Sequence, residues 1–319
     1  MTTRRGFTLV ELMIGLILLI AVGAVTYQLL VNTQRVNRSQ GQHIGMQDNA
    51  RSGATILASE LREVGYDEIT ATSQPLITAW LGAAPAQVSN PDLIAIGSDS
   101  ITYRAMRAIG FTCSLVAGTP AVVVRNTATI PFSQLRTLTT NDSLMLYVEN
   151  DPSIAGDDIW LVVGISAAPV AQNCPDGTSG MRINVTFPGT LTAIGLDANK
   201  VFGTGMIVGG PVRGFETMQA RSYVSGGKLW MGMRSRPTAG TTIEPVLGPL
   251  ANGVGTDQGL TLTYFDATGS ATAVRNNVRS VVVRLRPVSD EPVRTTGRYA
   301  KVDSLTLSTR VALRNALRP

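Results

Sequence analysis

The chain opens on its most one-sided stretch. Arg4 and Arg5 are followed by Phe7–Val25, 19 residues whose only charge is Glu11. As a helix that run is about 28 Å long, close to the roughly 30 Å hydrocarbon core of a bilayer. From Gln28 to about Val64 the sequence turns polar but keeps a helical period. Ala50, Ala54, Leu57, Leu61 and Val64 recur at 4-3-4-3 intervals on one stripe, with Glu60, Arg62 and Glu63 largely off it. The pattern predicts a single helix over 7–64, membrane-spanning over 7–25 and amphipathic later. Gly41, Gly45 and Gly53 each weaken it by about 1 kcal/mol, so bending or fraying is expected there. His43, in that weak stretch, reads as a solvated polar residue. A coiled-coil dimer is the other reading, but the apolar positions are too small and irregular for strong heptads.

Beyond Gly65 the period changes to short apolar runs separated by Gly, Pro, Asn and Asp. Strands are predicted at Leu93–Ile96, Ser100–Arg104, Ala121–Arg125, Leu144–Val148, Ile159–Val163 and Arg182–Phe187. A later group covers Ala220–Val224, Leu229–Met233, Leu260–Phe265, Val278–Leu285 and Ser304–Leu313. Val224-Ser225-Gly226-Gly227-Lys228-Leu229 reads as two strand signals joined by a three-residue Gly-rich hairpin turn, and Phe265–Gly269 as a second tight turn. No period of 20–50 residues repeats, which argues against a solenoid or propeller. The expected class is α+β: a long N-terminal helix packed on a β-rich, mostly antiparallel domain over 65–319, with room for two subdomains.

Composition removes most catalytic readings. One histidine, His43, excludes multi-His metal sites, and two cysteines exclude zinc ribbons and iron–sulfur clusters built within the chain. Gly203-x-Gly205-x-x-x-Gly209-Gly210 misses the dinucleotide-binding spacing, and Gly227-Lys228 lacks the rest of a phosphate loop. Both read as turns. Asp151, Asp157 and Asp158 form the densest acidic cluster, but without the register of a calcium loop. No catalytic, metal or cofactor residues are assigned.

Charge is uneven. From Pro211 onward 15 basic residues face 7 acidic ones, a net of +8, whereas residues 1–210 carry −3. On a strand, Arg284 and Arg286 would share an outer face while Val281, Val283 and Leu285 point inward. Arg279, Arg310, Arg314 and Arg318 extend that basic surface. Stacking aromatics are scarce nearby, so an acidic protein partner is favoured over nucleic acid.

The basic pair should stay in the cytoplasm and send the remaining chain across the membrane. Cys113 and Cys174, 61 positions apart, would then lie where a disulfide persists. Such a bridge would add about 4 kcal/mol by loop-closure entropy. Two buried thiols or reactive chemistry are the alternatives. A carboxylate inside the apolar run costs about 2–3 kcal/mol, so Glu11 needs a partner or a function. No A-x-A-like site closes the run, and Gly6 separates it from the basic leader. A cut after Gly6 would put an α-amine on Phe7, a cation within reach of Glu11 in the same helix or a neighbouring one.

Arg5-Gly6-Phe7-Thr8-Leu9-Val10-Glu11-Leu12 resembles the class III signal of type IV pilins and of type II secretion pseudopilins. The resemblance implies that residues 1–6 are a leader removed by prepilin peptidase between Gly6 and Phe7. It further implies that Phe7 is N-methylated and that Glu11 draws the subunit into a filament. Many pilins carry a proline near the end of the apolar run; this chain has none before Pro75.

Ser222-Tyr223-Val224, Leu229-Trp230, Thr263-Tyr264-Phe265-Asp266, Val278–Val283 and the closing Leu307–Asn315 are similar to the PilW-type minor pilins. The resemblance implies a structural, non-enzymatic subunit that helps initiate a type IV pilus near its tip. It would sit first in the bacterial inner membrane with its C-terminal domain periplasmic, then at the cell surface. Implied partners are the other minor pilins, the major pilin, the inner-membrane assembly platform and a tip adhesin. A minor pseudopilin shares every N-terminal residue and is the alternative, with a DNA-uptake subunit third.

Overall fold

The computed structural model describes residues 8–62, 64, 92–149, 159–192, 195–206, 208–235, 242–292 and 302–313. Helix α1 runs unbroken from Leu9 to Arg62, 54 residues, or about 81 Å. It passes through Gly41, Gly45 and Gly53 without interruption. The expected weak stretch holds because its side chains find partners on the β-rich part.

The first strands among the described residues are β1 (Leu93–Ile96), β2 (Ser100–Val116), β3 (Ala121–Arg125), β4 (Ser133–Gln134), β5 (Ser143–Val148) and β6 (Ile159–Ile165). Next come β7 (Val170–Ala171), β8 (Gly180–Thr186), β9 (Pro211–Ser225), β10 (Lys228–Ser235) and β11 (Glu244–Leu250). A separate antiparallel sheet holds β12 (Leu260–Phe265), β13 (Ser280–Leu285) and β14 (Leu307–Ala312). Each strand expected from the sequence is present. Two are far longer than expected: β2 has 17 residues and β9 has 15. Strand β11 was not expected at all, because Pro245 and Pro249 argue against a ladder; at a sheet edge, prolines are tolerated.

In the larger sheet six strands close on themselves. The pairs β2–β3, β3–β8, β8–β6, β6–β5, β5–β9 and β9–β2 are all antiparallel. The ring encloses a core containing Val122, Leu144, Leu146, Leu161, Ile183 and Val212. Gly214 lets Leu138 in: a Cβ at that glycine would stand 2.8 Å from a Leu138 methyl.

The first half of β2 and the second half of β9 leave the ring and pair again, with β1, β10 and β11 beside them. Here the stripe read from the sequence meets its target. Ala54, Leu57, Leu61 and Val64 close a second core with Ile101, Tyr103, Met231, Leu247, Val283 and Val311. Gly53 faces Leu247, where a Cβ would come within 3.0 Å of the leucine Cβ. That glycine permits the helix to approach β11. Tyr264 ties the small sheet on by donating to Gly97 O at 2.8 Å. Burial raises the Tyr264 phenol above its ordinary range.

The β9–β10 hairpin turns on two residues rather than three. Ser225 pairs with Lys228, leaving Gly226 and Gly227 at φ 57° and 73°. Positive φ at both central positions is the type I′ requirement, which glycine meets without steric cost.

Leu57 has no exposed surface. Leu57→Ala should therefore lower unfolding stability by about 2–5 kcal/mol, as buried leucine truncations do. Denaturant unfolding of the full chain in detergent measures it, with Ile56→Ala as the exposed control.

Candidate functional site

The start of α1 is built as a capping box. Thr8 is the N-cap, and its Oγ1 accepts from Glu11 N–H at 3.2 Å. Glu11 Oε2 in turn accepts from Thr8 N–H at 3.0 Å and from the Thr8 hydroxyl at 3.1 Å. These reciprocal bonds satisfy donors that a helix start leaves open. The T-x-x-E pattern ahead of an apolar run was visible in the sequence and went unused there. The partner of Glu11 in the single chain is thus Thr8. Gly6 and Phe7, the expected cleavage and methylation positions, lie outside the described residues.

Behind this cap the helix meets no other element among the described residues. Leu9, Leu12, Ile14, Leu19 and Val25 are all exposed, and exposed apolar residues continue to Val36. The helix is long and apolar enough to cross a membrane. An exposed apolar surface of this extent requires lipid or other subunits to cover it.

From Arg38 onward the same helix is seated. Arg38 pairs with Glu291, and Asn49 Nδ2 donates to Gly248 O at 2.8 Å. His43 Nδ1 lies 3.5 Å from Asp303 Oδ2, so the histidine expected to be merely solvated faces a carboxylate of the β-rich part.

Glu60 begins a chain of alternating charges that runs inward. Its Oε2 accepts from Arg107 at 3.4 Å and from the Tyr103 hydroxyl at 3.4 Å. Arg107 Nε donates to Glu216 at 2.5 Å, and Glu216 also accepts from Arg136 at 2.6 Å and Ser235 at 2.8 Å. Arg136 then grips Asp142 with two bonds, at 2.8 and 2.6 Å. Burial pushes both the Glu216 and Asp142 carboxyls upward. For Glu216, bonds from Arg107, Arg136 and Ser235 overcome burial; for Asp142, bonds from Arg136 and Thr139 do. Both stay below their ordinary values of 4.5 and 3.8. The sequence reading placed Glu60 only as an off-stripe residue and assigned no role to the other four charges; apart from Arg136–Asp142, six residues apart, the pairs join distant segments.

Cys113 and Cys174 form a disulfide, with an S–S distance of 2.00 Å. It fastens β2 to the loop after β7, where Asp176 pairs with Arg125 at 2.7 Å. Hydrogen bonds from Thr178, joined by that arginine, hold the Asp176 carboxyl down at about 2. The basic row is less available than expected. Arg286 pairs with Asp257, and Arg310 donates to Ser280 at 3.0 Å and covers Phe265. Val281, Val283 and Leu285 are buried beneath it, as the alternation required. Arg314 and Arg318 lie outside the described residues, as do Asp151, Asp157 and Asp158. Among the described residues no group of three or more metal-ligating side chains gathers. Val201–Gly205 form a π-helical turn rather than a strand–helix phosphate loop.

The depressed Glu216 and Asp142 carboxyls of the charge chain set a pH dependence. A carboxyl with a lowered folded pKa stabilises above its unfolded value and loses that contribution as pH falls through the folded one. Thermal midpoints should therefore hold from pH 7 to about pH 5 and drop below about pH 4.5. Glu216→Gln should cost about 3–5 kcal/mol at neutral pH, because it leaves two arginines under-compensated. It should also flatten the acid limb of a melting-temperature profile.

Residues 1–27 match the model of the prokaryotic N-terminal methylation motif. No match was found among curated proteins or solved structures. The motif, the apolar helix behind it and the antiparallel β-rich remainder together support a type IV pilin-like or pseudopilin-like subunit with a class III signal, of the kind that prepilin peptidase processes.

Proposed function

We propose that the protein is a PilW-type minor pilin that helps initiate type IV pilus assembly. The observation that carries this reading is the conjunction at α1. A methylation-motif N-terminus leads into a fully exposed apolar span, and the same helix is then locked rigidly onto a β-rich body. Such a helix is a stem by which subunits pack together, with lipid covering it beforehand.

On this reading prepilin peptidase removes residues 1–6, and the new amine of Phe7 is methylated. The span over 7–25 holds the subunit in the inner membrane with 65–319 periplasmic. Glu11 then registers the stem against a neighbouring subunit, exchanging its Thr8 bonds for a partner's cation. The role is structural, with the major pilin, other minor pilins and the assembly platform as partners. The length of the chain and its C-terminal strands favour the pilus over type II secretion.

Deleting the gene should abolish or sharply reduce surface pili and leave exoprotein secretion intact. Normal piliation with lost secretion would replace this reading with the pseudopilin one. Mass spectrometry of the membrane-extracted protein should find a chain starting at methylated Phe7. Glu11→Ala should leave an inserted, processed protein whose incorporation into filaments falls by an order of magnitude or more, as loss of about 2–3 kcal/mol implies. Thr8→Ala removes the cap but keeps the carboxylate, and should incorporate far better than Glu11→Ala.

A further inference from the structure

Away from α1, the closed ring carries a cleft of about 760 Å³. That lies within the roughly 300–1,000 Å³ range of small-molecule sites. Its floor is the outward row of β8, where alternation sends Ile183 and Val185 into the core and leaves Arg182, Asn184 and Thr186 facing out. One wall is the β2–β3 turn with Thr119, and another is the helical segment carrying Asp197 and Asn199. Phe187 supplies an apolar surface, held edge-to-face against Phe202 at 5.7 Å.

We propose that this cleft binds a neutral oligosaccharide. The lining is rich in hydroxyl and amide groups, which can donate or accept as a sugar hydroxyl does. Ser166, Thr186 and Asn199 spend no side-chain hydrogen bond on the described residues, so their capacity is open to a ligand. Arg182 is preset: its guanidinium donates to Asn184 Oδ1 at 2.8 Å and Thr119 Oγ1 at 2.9 Å. A donor fixed before binding lowers the ordering cost. Phe187, partly buried and lining the cleft, supplies apolar surface for the C–H side of a pyranose ring. The two charged lining residues, Arg182 and Asp197, are of opposite sign, so neither a polyanion nor a polycation finds a matching field. An apolar ligand would strand the floor's polar groups. The inference is independent of the pilus reading, since it concerns only the ring.

The test uses the full chain in a zwitterionic detergent, because sugar-headed detergents would compete. The probe is an array of neutral di- to tetrasaccharides beside sulfated and carboxylated ones, with hits titrated calorimetrically. At least one neutral sugar should bind with a Kd of about 1 mM or tighter. Thr186→Trp, filling the floor from an exposed position, should weaken that binding at least tenfold at unchanged melting temperature. Asn199→Ala should weaken it severalfold and decides the matter if the tryptophan variant misfolds. The proposal falls if no neutral sugar binds, if only anionic ones bind, or if the folded variants bind like the parent.

Discussion

The Arg107–Glu216 ion pair sits where β2 and β9 pass from one hydrophobic core to the other. Before it, Ile101, Tyr103 and Ala105 of β2 face the core under α1; after it, Ala108 faces the ring. A pleated strand cannot change from odd to even inward positions without an extra residue. Arg107 is that residue, inserted between the Met106–Phe215 and Ala108–Gly214 pairs. Its side chain is then held in a mostly buried place and needs charged partners. Glu216 and Glu60 supply them, the second from α1 itself. One bulge therefore joins three things: the parity change, the meeting of two cores, and the attachment of the helix.

That attachment divides α1 physically into two halves under one continuous set of backbone bonds. The rear half is fixed by Leu57 and Leu61 beneath it and by Arg38, His43 and Asn49 along its length. Among the described residues the front half has no such contacts, so its direction is set by the seating behind it. A helix bends at proline or where its ladder is broken, and α1 has no proline. The proline that many pilins carry near the end of the apolar run is missing here, and the helix is continuous through that region. A load placed on the apolar front of the helix would reach the β-rich body through the stripe and the Glu60–Arg107 contact.

Sequence pattern reveals those parts whose determinants are local. The stripe Ala50–Val64 and the inward row Val281–Leu285 depend on spacing alone and appear where they were read, and the tight turns fall at the expected places, the β9–β10 turn one residue shorter than expected. The helix boundaries shift by only two residues at each end. Strand lengths failed where neighbours decide: nothing local tells that β2 continues through Gly110, since that glycine is needed for Val124 and Phe132 on other segments. Strand β11 failed because proline is a poor strand former everywhere except at an edge, and an edge is a property of the sheet. The charge chain was invisible for the same reason, with Glu60 and Glu216 separated by most of the β-rich part. At the helix start the reverse holds. Thr8 and Glu11 are a purely local motif, three residues apart, whose capping bonds follow from the T-x-x-E spacing alone.

The cap changes the energetics of any role for Glu11. A bare carboxylate in an apolar run would gain the full worth of whatever cation it met. Glu11 instead accepts two bonds from Thr8 and sits at the positive end of the helix dipole. A neighbour must therefore offer more than Thr8 already does, and a second uncharged hydroxyl would gain little. A full positive charge does better, because the attraction between opposite charges grows as water is excluded while hydrogen bonds to neutral donors are merely exchanged. The capped carboxylate is thus tolerable in a lone subunit and selective in its choice of partner, which favours a cation brought by another chain over incidental polar contact.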